Sequence, residues 1–234
     1  MNDDEKLARS FFVHQGFKRI DYEPEGGSKP PDFLLEGRIA VEVRRLNQHE
    51  PVTPPGARPR GLEEDAIPLW TNIRDLLPSF GPPRDVSWAV SVDFGRPVPK
   101  WDELKRALTQ RLHAFQNDPA PRPIAIQLFP SLEIELIRVG GRHRHFFFMG
   151  AEGDDDSGGL VTAELVRNLR ICIDEKTKKV AGIRSRYPEW WLVLVDRIHY
   201  GEPEPIRTPE HNWDKILALS PLDPALACEL PQPS

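Results

Sequence analysis

Asp32, Glu42 and Arg44 are the residues whose types and spacing could do chemistry. They stand at the ends of two short apolar runs, Phe33-Leu34-Leu35 and Ile39-Ala40-Val41, separated by Glu36-Gly37-Arg38. That separator has the length and the glycine of a three-residue β-hairpin loop, with residues 39–46 as the return strand. The register then sets Leu35 opposite Ile39, Leu34 opposite Ala40, Phe33 opposite Val41 and Asp32 opposite Glu42. Arg44 shares the face of the two carboxylates by the alternation of a strand. Like charges directly opposed destabilise a sheet, their β-carbons lying roughly 4.5 to 5.5 Å apart. A cation between them relieves this, and a divalent metal is the natural candidate. Magnesium accepts one or two carboxylates together with waters and phosphate oxygens, and it activates water while neutralising charge that develops on phosphorus. Arg44 suits a bidentate hold on a phosphate. It cannot be a general base, because a guanidinium stays protonated. The plainer alternative is a hairpin with an exposed polar face and an Arg44 salt bridge.

The order Pro31-Asp32, hairpin turn, Glu42-Val43-Arg44 resembles the PD-(D/E)xK nuclease superfamily, and the helix expected before the hairpin resembles it too. The resemblance is carried by residues 31–44. It implies an α/β, restriction-endonuclease-like fold, a mixed central sheet flanked by helices. In that core Asp32 and Glu42, with the backbone carbonyl of Val43, would hold Mg2+ or Mn2+. It also implies a metal-dependent phosphodiesterase acting on DNA. The departure is Arg44, which stands where the family has lysine. The family's first helix often supplies a further carboxylate, which makes Glu5, or Asp4, a candidate; acidic residues in a first helical turn also simply favour the helix dipole. Arg44 favours the rival reading, a degenerate member that binds nucleic acid or protein without cutting. An α/β domain unrelated to nucleic acid is the third.

The elements that must position these residues follow from pattern. Leu7, Ala8, Phe11 and Phe12 give residues 4–15 the spacing of an amphipathic helix ending at Gly16. A strand over 17–23 and a Gly/Pro-rich link lead into the hairpin, and residues 47–61, with prolines at 51, 54, 55 and 59, read as a loop. Helices are expected over 62–80 and 101–115, and strands over 86–94, 124–129 and 190–196, the last apolar enough to be covered on both faces. Residues 132–139 and 143–149, joined by Gly140-Gly141, read as an inserted β-hairpin, followed by an acidic, glycine-rich loop over 151–159. Residues 161–187 fit a helix, with a hairpin through 174–179 as the alternative. On the helical reading Lys176 and Lys179 lie on the stripe of Cys172 and Ile183. A buried ammonium needs a partner, and the acidic pair Asp32 and Glu42 is the cluster on offer; a lysine snorkelling to solvent is the default. The tail, rich in proline, holds a short helix over 212–219.

Composition bounds the rest. The chain of 234 residues suits a single domain, with a core over about 1–129 and 160–200, the hairpin elaboration over about 130–159 and the tail from 201 to 234. Net charge is −5, which excludes a dedicated basic nucleic-acid coat but not a nuclease with local basic patches. Arg58, Arg60, Arg142, Arg144, Lys178, Arg184 and Arg186 are the residues that could form one. Cys172 and Cys228 are too few for a disulfide framework and read as reduced thiols. Without a long apolar run or a basic signal-like start, the expectation is a cytoplasmic protein with DNA as partner, no membrane, and a homodimer left open. His143 and His145 alternate like a metal pair but lack a third ligand in range. Asp154-Asp155-Asp156 lacks the alternating spacing of a calcium loop.

Overall fold

The computed structural model describes residues 1–27, 29–50, 57–83, 85–141, 143–199 and 206–231. Prolines 51, 54 and 55 of the expected loop, and Arg142, lie outside the described residues. In chain order the elements are helix α1 (Asp3–His14), strands β1 (Ile20–Tyr22), β2 (Phe33–Leu35) and β3 (Ile39–Leu46), and helix α2 (Glu63–Leu76). Strand β4 (Ser87–Phe94), helix α3 (Trp101–Asn117) and strands β5 (Ile124–Phe129), β6 (Leu132–Val139) and β7 (Phe147–Asp154) follow. Helix α4 (Val161–Val180) and strands β8 (Glu189–Asp196), β9 (Lys215–Leu219) and β10 (Ala227–Glu229) come last, and short 3-10 turns lie at Leu77–Phe80 and Arg184–Arg186. The fold is mixed α/β, and no described helix is long and apolar enough to cross a membrane.

The chain divides into two compact units, Met1–Gly61 with Gly159–Ser234, and Leu62–Gly158. The first holds a six-stranded sheet in the order β1-β2-β3-β8-β9-β10. β1, β2 and β3 form an antiparallel meander, β8 and β9 join it in parallel, and β10 closes the far edge antiparallel. The hairpin register is Phe33 to Val41, Leu34 to Ala40 and Leu35 to Ile39. Alternation then sorts the side chains. Val41, Val43, Trp191, Val193 and Leu217 face the Ala8, Phe11 and Phe12 stripe of α1. Ala40, Leu46, Trp190, Leu192 and Ile216 face Leu165, Leu169, Cys172 and Ile173 of α4. β8 is buried on both sides from Trp190 to Asp196, which is why it reads as an unbroken apolar run.

The second unit carries its own sheet, in the order β5-β6-β4-β7, with α2 and α3 packed on the face of Trp88, Val90, Val92 and Phe94. This corrects the single central sheet, since β4 and β5 do not join the sheet of the Asp32 hairpin. It corrects the inserted hairpin as well. β6 pairs antiparallel with β5 and β4, whereas β7 pairs parallel with the opposite edge of β4. Phe146 and Phe147 are the reason: both are buried in this core, and the Phe146 amide and carbonyl bond Gly81 and Trp88 rather than β6. Part of the acidic stretch expected as loop is strand, because Gly150 and Gly153 let β7 lie close against Ser91 and Asp93, where any β-carbon would collide.

The tail helix is corrected too. Residues 215–219 are strand β9, with Ile216 and Ala218 buried on the α4 side and Leu217 and Leu219 on the α1 side. A short run that is apolar at every position carries no period that separates helix from strand.

Candidate functional site

Strand β3 is paired with β8 along its whole length and with β2 over Ile39–Val41, so its side chains are held at fixed heights on two faces. Ala40, Glu42, Arg44 and Leu46 share the α4 face. Glu42 is the conspicuous member, a carboxylate at 0% exposure. Asp32 sits just before β2, and its Oδ2 accepts the Val43 N–H at 2.7 Å. That bond fixes the Asp32 carboxylate beside Glu42 where the β2–β3 ladder stops.

Residues 161–180 are helical, and Lys176 and Lys179 lie one turn apart on the side of α4 that meets this pair. Both ammoniums donate to the same oxygen, Glu42 Oε2, at 2.6 Å from Lys176 and 2.8 Å from Lys179. Each is also 3.6 Å from Asp32, Lys176 from Oδ2 and Lys179 from Oδ1. Their exposures differ: the Lys176 side chain is 8% exposed and that of Lys179 34%. Burial pulls the Lys179 ammonium towards neutrality, but the Glu42 hydrogen bond and the charges of Glu42 and Asp32 outweigh it and leave its pKa above the ordinary lysine value. Glu42 Oε1 is buried and has no hydrogen-bond partner among the described residues.

Arg44 extends the cluster along the strand. Its Nη2 lies 3.2 Å from Glu175 Oε2 and 3.4 Å from His49 Nε2. His49 is fully buried, and its Nδ1 is 2.8 Å from Asn168 Oδ1, which also accepts the His49 amide at 3.0 Å. Asn168 Nδ2 donates to the Glu164 carbonyl at 2.7 Å, which fixes the orientation of the amide. α4 thus presents one polar seam, Glu164, Asn168, Glu175, Lys176 and Lys179, to the Glu42 face of the sheet. In the immediate cluster the carboxylates of Asp32, Glu42 and Glu175 balance the cations of Arg44, Lys176 and Lys179.

The structure therefore brings Asp32, Glu42, Val43, Arg44, Lys176 and Lys179 together. Glu5 is placed elsewhere. It closes a capping box with Asn2 and accepts from the Tyr22 hydroxyl at 3.0 Å, on the α1 side of the sheet. Asp4, on the same helix, is buried between Arg45 and Arg197, each at 2.8 Å. Arg96 clasps Asp154 and Asp156 at 2.8 and 3.0 Å, and His143 stacks on Phe148. His49, Asn168 and Glu175 escape a reading of the sequence; the polar positions 164, 168 and 175 beside the lysine stripe are the signal that could have found them. Among the described residues no three His, Cys, Asp or Glu side chains gather as a metal-binding group. No protein-family model, curated protein or solved structure matches the chain.

Proposed function

We propose that this protein is a metal-dependent phosphodiesterase acting on DNA, built on a restriction-endonuclease-like core. The observation that carries the proposal is the Asp32–Glu42 pair, Glu42 buried and Asp32 partly so, facing two lysines of α4. The element order supports it: α1, the β1–β3 meander, then α4 and β8 parallel to β3, with the Leu62–Gly158 unit inserted before α4. Lys176 and Lys179 supply from the helix the ammonium that Arg44 does not supply from the strand.

The donor set fits magnesium. Among the described residues Glu42 Oε1 is a buried carboxylate oxygen without a partner, a costly state for an acceptor, and Asp32 Oδ1 has only the more distant Lys179 contact. Two carboxylates are what magnesium takes from a protein that leaves its other positions to water and phosphate. Asp32 and Glu42 would hold it, with the Val43 carbonyl in reach of the same strand end. When bound, the ion would supply an activated water and neutralise charge on the phosphate. The chain's own residues do the rest. Lys176, buried and fixed by Glu42, holds its ammonium towards the reacting phosphate from a buried position, where fixed charge acts most strongly. Lys179, a third exposed, can swing aside to keep the site's charge balanced. Arg44, two residues along the strand and roughly 7 Å away, offers its guanidinium to a neighbouring phosphate oxygen.

A second reading, a non-cleaving binder of the same fold, is favoured by one observation: the two lysines already neutralise both carboxylates, so the site is charge-balanced without a metal. One experiment separates the two. Purified protein is incubated with supercoiled, linear and single-stranded DNA in magnesium, manganese or EDTA, alongside Asp32→Ala. Cleavage that needs the divalent ion and disappears in the variant is the expected result. Binding without cleavage in any metal would move the assignment to the second reading.

A further inference from the structure

His49 has no place in the chemistry above, yet it is a fully buried titratable group beside the site. Its surroundings determine its tautomer. Asn168 Nδ2 donates to the Glu164 carbonyl, so Asn168 Oδ1 is the acceptor that faces His49 Nδ1. Nδ1 must therefore carry the proton. The other ring nitrogen, Nε2, is 3.4 Å from Arg44 Nη2, and a guanidinium can only donate. Nε2 is then the lone-pair acceptor of a neutral imidazole; an imidazolium would set an N–H and a positive charge against the guanidinium. The backbone of His49 is as firmly held as the ring. Its amide bonds Asn168, its carbonyl accepts from Arg167 at 2.8 Å, and it forms a β-bridge with Gly61. A fixed acceptor of this kind is a means of aiming a long side chain. Arg44 is 18% exposed, held on one nitrogen by Glu175 and His49, while its Nε is buried with no partner among the described residues.

We propose that His49, as the neutral tautomer protonated on Nδ1, is a positioning residue for Arg44, holding the guanidinium so that its partly exposed end meets a phosphate oxygen of DNA next to the Asp32–Glu42 pair. The phosphate role rests on the nuclease reading; the tautomer and the pairing with Arg44 do not.

The test uses the full chain and two readouts. The first is the imidazole 15N spectrum of the wild type and of Arg44→Ala. The expected result is a protonated Nδ1, a bare Nε2, and an Nε2 resonance that moves when Arg44 is removed. A proton on Nε2, or a resonance indifferent to Arg44, overturns the proposal whatever the protein does to DNA. The second readout is the Kd for a short duplex, and for each of its single strands, in calcium, for the wild type, Arg44→Ala, His49→Gln and His49→Asn. Glutamine returns an acceptor near the position of Nε2, whereas asparagine reaches only the Asn168 side. Arg44→Ala and His49→Asn should weaken binding about tenfold, the scale of one charge-assisted hydrogen bond, with His49→Gln recovering most of it. A wild type that binds the duplex, with His49→Asn binding as tightly, overturns the positioning role and leaves the nuclease reading standing. A wild type that binds neither this duplex nor either of its single strands overturns the nuclease reading and the phosphate role together, and the 15N spectrum still decides the pairing.

Discussion

A carboxylate survives at zero exposure because two ammoniums share one of its oxygens, and that dependence makes Glu42 the residue on which stability and function separate. Glu42→Ala leaves Lys176 buried with only the 3.6 Å contact to Asp32, and removing one member of a buried pair typically costs about 3 to 5 kcal/mol. Replacing the pair by apolar residues of similar size, Glu42→Leu with Lys176→Met, should recover most of that loss, because Lys179 still faces Asp32 and no buried charge is stranded. Urea denaturation of the two variants checks this; equal destabilisation would mean the pair is not what holds α4 to the sheet. Neither variant should cleave DNA. The arginine is tested in the same way. Lysine at position 44 would place a third ammonium beside two already present and would lose the planar fork that spans Glu175 and His49. Arg44→Lys should therefore lower the rate of DNA cleavage almost as far as Arg44→Ala, measured under single turnover. An unimpaired Arg44→Lys enzyme would show that position 44 needs only charge.

The hairpin is the element that sets the register of Asp32 and Glu42, and its turn is fastened from outside. Glu36 and Gly37 both have positive φ, at 51° and 69°, and the Glu36 carboxylate accepts the Arg19 and Lys18 amides at 3.1 and 2.7 Å. Those backbone hydrogen bonds, Arg19 first, hold its pKa below the ordinary glutamate value. The sign follows from linkage. A depressed carboxyl contributes stability that is complete above its unfolded pKa of about 4.3 and disappears as pH falls through the lower folded value. Glu36→Gln should therefore flatten the loss of stability below about pH 4.3 and leave the neutral region changed only slightly, read from thermal midpoints against pH. An unchanged acid limb would mean that the turn is held by its backbone alone. This hairpin was legible in the sequence because it is local: alternation, a proline entry and one glycine determine the register within fourteen positions, from residue 31 to residue 44. Helix α4 was legible for a similar reason, since a stripe at helical spacing carries its lysines with it. β6 and β7 were not. Which edge of β4 each would take depends on Phe146 and Phe147 burying among residues far away in sequence, and a glycine pair between two strands gives no hint that a third strand lies between them. His49 was hidden likewise, its meaning supplied entirely by Asn168 and Arg44.

At the scale of the whole molecule the question is how a chain of net charge −5 would hold a polyanion. Three of the seven basic residues that could have tracked a phosphate backbone are already committed to carboxylates. Arg60 pairs with Glu50 at 3.5 Å, Arg184 with Asp214 at 3.4 Å and Arg186 with Glu25 at 3.2 Å. Exposed pairs of this kind are weak, worth about 0 to 1 kcal/mol, but each guanidinium that turns to DNA strands a carboxylate facing the same phosphates. Binding should then depend on the few cations at the site, chiefly Arg44 and Lys179, rather than on a broad electrostatic footprint. Because log Kobs falls with log salt at about 0.9 per neutralised phosphate, a duplex bound through two or three contacts should give a slope of about −2 to −3. Fluorescence anisotropy of a labelled duplex, titrated at several salt concentrations with calcium present, measures it. Arg44→Ala should lessen the slope by about one, while Arg186→Ala should leave it unchanged. A slope of about −6 or steeper, lessened as much by Arg186→Ala as by Arg44→Ala, would show that the surface arginines exchange their carboxylates for phosphates. DNA would then be gripped by the wider surface and only presented to Asp32 and Glu42.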